Sequence, residues 1–101
     1  MGQTARLGKT FTTVTTNETW THIQYHQTVV VSFSQTCVIL RTGGWKTATT
    51  KLRMNQASRQ FNLGYEVSQR KGTWYVSQWD AVNQKWINEK EFIGEQFIIP
   101  R

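Results

Sequence analysis

The residues best suited to chemistry in this chain fall in one stretch, residues 41–56, "RTGGWKTATTKLRMNQ". Gly43 and Gly44 permit backbone conformations closed to other residues and let a ligand approach closely. A helix that starts after them presents free amides and the positive end of its dipole, which together favour an anion. The hydroxyls of Thr47, Thr49 and Thr50, with Lys46 and Lys51, can complete a phosphate cradle. Arg53 and Arg59 add charge, and Asn55 and Gln56 add amides that suit a base or nucleotide edge. The spacing is not that of a P-loop, because "GGWKTATTK" lacks the G-x-x-x-x-G-K-[ST] order. An architectural reading stands beside the functional one. In it the glycines make a strand-to-helix turn, Trp45 packs on the core, and a threonine caps the helix.

No reactive set assembles elsewhere. His22 and His26, read on one face of a strand, lie about 13 Å apart. That is too far to share a metal ion, whose bonds to nitrogen are about 2.0–2.1 Å. The "HQT" of His26–Thr28 matches one half of a two-histidine phosphoesterase site, and a second copy is missing. Cys37 would need a neighbouring base to become a nucleophile, and in "TCVIL" it reads as a buried, inert thiol. Glu89 and Glu91 are the closest acid pair, but paired-carboxylate catalysis requires a placement that spacing alone does not supply. The expectation is a non-enzymatic protein without cofactor or metal.

The elements that must position the candidate site follow from periodicity. "TFTTVTT" (10–16) reads as a strand anchored by Phe11 or Val14, and "NE" at 17–18 as a turn. "TWTHIQYH" (19–26) alternates, with Trp20, His22, Gln24 and His26 on one face. "TVVVSFS" (28–34) puts Val29, Val31 and Phe33 on one face and pairs with "CVILRT" (37–42) as a hairpin. A helix begins near Thr49, with Thr49 or Thr50 as its N-cap. It runs along the stripe Met54–Ala57–Phe61 and stops at "NLG", where Gly64 can turn left-handed. Lys51, Arg53 and Arg59 scatter around its flanks, which argues against a base-reading helix with one recognition face. "YEVSQR" (65–70), the turn "KG" and "TWYVSQW" (73–79) form a second hairpin, and the tail supplies a short strand and an edge or terminal strand. Residues 1–9 read as a disordered N-terminus and 10–101 as one domain. The order hairpin, helix, hairpin predicts an α+β fold: a mostly antiparallel sheet with one helix packed on one face.

Composition agrees. Fifteen threonines and an aromatic content of 13% suit pleated sheet. The longest uncharged apolar run is strand-sized, so no membrane span is expected, and the N-terminus lacks the apolar centre of a signal peptide. "MGQTAR" has Arg6 where a myristoylation site wants Ser or Thr. One cysteine fits a reducing interior, where the sequon at Asn17 has no meaning. The net charge of +6 is uneven: residues 1–64 hold seven basic residues against Glu18 alone, whereas 65–101 balance five against five. A localised positive potential implies an anionic partner; the plainer account is that the charge keeps a small protein soluble. With a helix over one sheet face, some of Trp20, Tyr65, Trp74, Tyr75 and Trp79 remain for the other. Aromatics beside cations stack and hold single-stranded nucleic acid. Trp45, Trp74 and Tyr75 are the stacking candidates, with ordinary cross-strand packing as the alternative.

Residues 29–76, "VVVSFSQTCVILRTGGWKTATTKLRMNQASRQFNLGYEVSQRKGTWYV", resemble a family of small bacteriophage proteins. Its mark is a strand followed by GGW-x-T-x-TTK-x-RMNQ, then LGY-x-V and a closing G-x-WYV strand. The first 25 residues and the acidic tail lie outside that pattern. The resemblance implies a phage origin and the host cytoplasm, and it carries no activity. Small phage proteins of this kind often act on nucleic acid or on host defence. Two functions are therefore expected. One is a nucleic-acid-binding module that grips phosphate at Gly43–Lys51. The other is an antagonist that sequesters an anionic nucleotide signal, as a homo-oligomer with an enclosed pocket, or masks a host defence protein.

Overall fold

The computed structural model describes residues 12–44 and 46–101. The expectations for residues 1–9, Phe11 and Trp45 lie outside them. Among the described residues the elements run β1 (Thr12–Thr16), β2 (Thr21–Tyr25), β3 (Thr28–Phe33), β4 (Cys37–Arg41), α1 (Ala48–Phe61), β5 (Tyr65–Arg70), β6 (Thr73–Asp80), β7 (Lys85–Glu91) and β8 (Gln96–Pro100). The fold is α+β. Its strands, all antiparallel, divide into a five-stranded sheet of order β1-β2-β3-β4-β8 and a three-stranded sheet of order β5-β6-β7. The division arises because the last strand returns to β4, pairing Leu40 with Phe97 and Val38 with Ile99, instead of extending the second sheet.

Cross-strand register explains the core. Val14, Ile23, Val31, Leu40 and Phe97 fall opposite one another in turn, so one row of side chains runs across the whole larger sheet. Met54 and Ala57 of α1, both fully buried, join the same cluster, as do Tyr65, Val67, Trp74 and Val76 of the second sheet. Phe92 links the two sheets, with its ring 6.0 Å from Trp74 and 5.5 Å from Phe97. Phe61 anchors the end of the helix on Phe33, 5.1 Å away. Each fully buried Val, Leu, Ile or Met contributes about 1.5–3 kcal/mol, which fixes where the helix lies.

Local details correct the expected alternation. A bulge in β3 sets both Val29 and Val31 against consecutive residues of β2, so the extra residue, Val30, turns inward and is buried. Val30 therefore joins the core that strict alternation assigned to Val29, Val31 and Phe33. The strand expected to run to His26 ends at Tyr25, because His26 takes a left-handed backbone, φ 56°, in the turn to β3. Cys37 opens β4 and is only partly buried.

Candidate nucleic-acid interface

The turn between β4 and α1 is built by its glycines. Gly43 and Gly44 both have positive φ, 66° and 87°. A Cβ on Gly43 would come within 2.5 Å of Thr28 Oγ1, so this glycine is required by the packing of the turn on β3. Thr42, itself buried, accepts a hydrogen bond at its hydroxyl from the Gly44 amide, 3.2 Å. The architectural reading of the two glycines is the one this geometry supports.

The helix begins two residues earlier than its threonines suggested. Thr47, not Thr49 or Thr50, is the N-cap, and its hydroxyl accepts from the Thr50 amide at 3.1 Å while donating to Thr50 Oγ1 at 3.0 Å. Thr50 is buried beneath it. The cap falls there because an N-cap needs an extended backbone, which Thr47 has at φ −103° and ψ 160°. At the other end Asn62, in the left-handed conformation, closes the helix. Gly64 also has positive φ, 74°, so the expected left-handed stop comes two residues earlier at an asparagine.

Several sequence candidates hold the fold together. Asn55 clamps the free edge of β5, donating from Nδ2 to Val67 O at 2.9 Å and accepting from the Val67 amide at 2.8 Å. Ser58 does the same at Tyr65, where its hydroxyl donates to the carbonyl at 2.6 Å and accepts from the amide at 3.1 Å. One helix face thus supplies the partners that a neighbouring strand would give an edge. Arg53 ties the helix to β1 through Thr12 Oγ1 and to Gln56 Oε1, both at 3.2 Å, with its guanidinium 5.3 Å from the Tyr25 ring. Trp74 is buried at 1% exposure, which removes its ring from any surface. The half-buried Tyr75 ring is covered by Arg70, 4.0 Å from its centre.

Lys46 and Lys51 lie at the N-terminal end of α1. Lys46 donates to Phe92 O at 2.5 Å and lies 5.1 Å from that residue's ring. An ammonium carries three donors, so one carbonyl leaves it capacity for an anion. Lys51 reaches Gln69 Oε1 at 3.3 Å. With Asn55 on Val67 and Ser58 on Tyr65, this contact sets β5 antiparallel to the helix, and the β5–β6 turn lies beside the first helical turn. That turn is Lys71–Gly72, both with positive φ, a two-residue hairpin loop that leaves Lys71 exposed. Arg70, also exposed, is paired with Glu89. Sequence reasoning missed Lys71. The signal was the "RKG" between two strands, but placing it required the direction of β5 against the helix.

At the opposite end of α1 is an aromatic cleft of about 220 Å³, lined among others by Arg59, Asn62, Gly64, Glu66, Trp79 and Trp86. Trp79 and Trp86 face each other across β6 and β7, edge to face with ring centres 5.2 Å apart. They remain 43% and 45% exposed. These are the open aromatic rings of the smaller sheet, in place of Trp74 and Tyr75. Away from both ends, on the other face of the larger sheet, His22 Nδ1 bonds Ser32 Oγ at 2.7 Å, and Arg41 donates to the same oxygen at 3.1 Å. Ser32 is buried, so this cluster ties strands together. No helix among the described residues is long and apolar enough to cross a membrane.

A family model described as Kyanoviridae Gp96 protein, a phage family, matches residues 2–97. The match extends well beyond residues 29–76, which carry the bacteriophage resemblance. No curated protein and no solved structure matches the chain.

Proposed function

We propose that this chain, which belongs to the Kyanoviridae Gp96 family, is a non-enzymatic binding protein of the host cytoplasm that grips single-stranded nucleic acid by its phosphates. The grip lies at the start of α1. The observation that carries this reading is that Lys46 and Lys51 lie at the helix start, with the exposed Lys71 in the turn just beyond the Gln69 that Lys51 contacts, beside the free amides of the first helical turn. Lysines near a helix N-terminus oppose the dipole, so their gathering at that end is better matched to an anion than to helix stability. Arg70 turns to the other face of β5, onto Tyr75 and Glu89, which leaves Lys46, Lys51 and Lys71 as the contributors.

The test is fluorescence anisotropy with labelled single-stranded DNA, duplex DNA and RNA, with cyclic nucleotides as competitors. Lys51→Ala and Lys71→Ala should each weaken single-strand binding several-fold without altering the fold. Lys46→Ala is less informative, because its ammonium also supports Phe92 O. Competition by a cyclic nucleotide with no strand binding would instead favour sequestration of a nucleotide signal. Absence of both would turn attention to a host defence protein as the partner.

A further inference from the structure

We infer that the Trp79–Trp86 cleft is a subsite for one unstacked guanine base, an inference that rests on the strand-binding reading and names what lies further along the strand. Three observations converge on it. The first is size. At about 220 Å³ the cleft is smaller than the roughly 300–1,000 Å³ typical of pockets for whole small ligands, so it suits a single planar ring system. The second is the wall. Two half-exposed indoles meet edge to face, and Gly64, whose carbonyl accepts from the Trp79 amide at 2.8 Å, has no side chain to fill the space opposite. A Cβ built on Gly64 meets nothing within 4 Å. An aromatic wall facing a gap is what a stacked base needs.

The third is the polar rim. Arg59 and Glu66 line the same cleft without an ion pair between them, the one ion pair among the described residues being Arg70–Glu89. A carboxylate only accepts and a guanidinium only donates. The ligand must therefore offer donors on one edge and acceptors on another. Guanine does both: its ring N–H and amino group form a paired donor edge for Glu66, and its O6 and N7 accept from an arginine. Thymine and cytosine present smaller rings, and adenine has no paired donor edge. From Lys51 to Asn62 the helix rises about 16 Å, so a strand of a few nucleotides joins the phosphate grip to the cleft.

The experiment is tryptophan-fluorescence titration of the full chain with a short oligothymidylate, with the same strand carrying central guanines, and with free GMP. The guanine strand should bind wild type more tightly, and Glu66→Gln should abolish that preference while leaving oligothymidylate binding intact. Trp79→Ala should weaken the guanine strand by about 5-fold to about 150-fold, the range expected for one lost stacking contact. Glu66→Gln keeps the shape of the side chain, so the test does not depend on Trp79→Ala folding. Equal binding of the two strands by wild type, or a guanine preference that survives Glu66→Gln, overturns the subsite and leaves the phosphate grip standing. GMP binding that is sensitive to Glu66→Gln, with no strand binding, would support the guanine cleft and remove the strand. No response to any of the three probes would overturn both.

Discussion

At the scale of single residues, the side chains most eligible for binding divide into those the fold consumes and those it leaves over. Asn55, Gln56 and Arg53 look like ligand contacts on a helical wheel, yet each is spent on a neighbour within the protein. Nothing in residue type distinguishes them from Lys51, because the distinction depends on which strand edge the helix meets. Tyr65 is the residue whose burial has the clearest consequence. It is 2% exposed, and its hydroxyl donates to Met54 O at 2.6 Å. Burial pushes its phenol well above the ordinary value. Up to about pH 10 both folded and unfolded chains keep that proton, so Tyr65 adds no pH dependence. Above it the unfolded chain releases a proton that the folded chain retains, and stability falls as pH rises, by up to about 1.4 kcal/mol per pH unit. Urea unfolding at a series of alkaline pH values should show this slope in wild type and a shallower one in Tyr65→Phe. Equal slopes would contradict the assignment.

At the scale of elements, the helix acts as a substitute strand. Asn55 and Ser58, three residues apart, satisfy the amide and carbonyl of Val67 and Tyr65 along β5. Removing either leaves backbone groups unpaired, at roughly 1–3 kcal/mol for a buried group. Asn55→Ala and Ser58→Ala should each destabilise the protein by about that much. The double variant should lose less than the sum, because both act on one strand edge. Chemical denaturation of the four proteins checks this, and additivity to within about 0.3–0.5 kcal/mol would contradict it. Periodicity marked both hairpins, since alternation and a two-residue "KG" turn are local signals. It did not mark the bulge at Val30 or the cap at Thr47. Those are settled by the register against β2 and by the extended backbone at Thr47.

At the scale of the whole molecule, the basic first two-thirds of the sequence becomes a basic end of the fold only in part. Arg53 is drawn into the join with β1, and Arg59 lies at the far end of α1 in the cleft. Lys71, from the C-terminal part of the chain with balanced charge, sits in the turn just beyond Gln69, which Lys51 contacts. A charge count along the sequence therefore points to an anion partner by its sign alone, and the fold redistributes the residues that would meet one. Trp79 and Trp86 illustrate the same limit: their pairing needs the register of β6 on β7, which no local pattern carries. The central claim is that several phosphates are neutralised at the start of α1, and the most direct measurement is the salt dependence of single-stranded DNA binding. Each neutralised phosphate contributes about −0.7 to the slope of log affinity against log salt. Three to four contacts predict a slope of about −2 to −3 for wild type, and the Lys51→Ala/Lys71→Ala double variant should be shallower by about 1.4. A slope near zero, or one that the double variant leaves unchanged, would contradict the account.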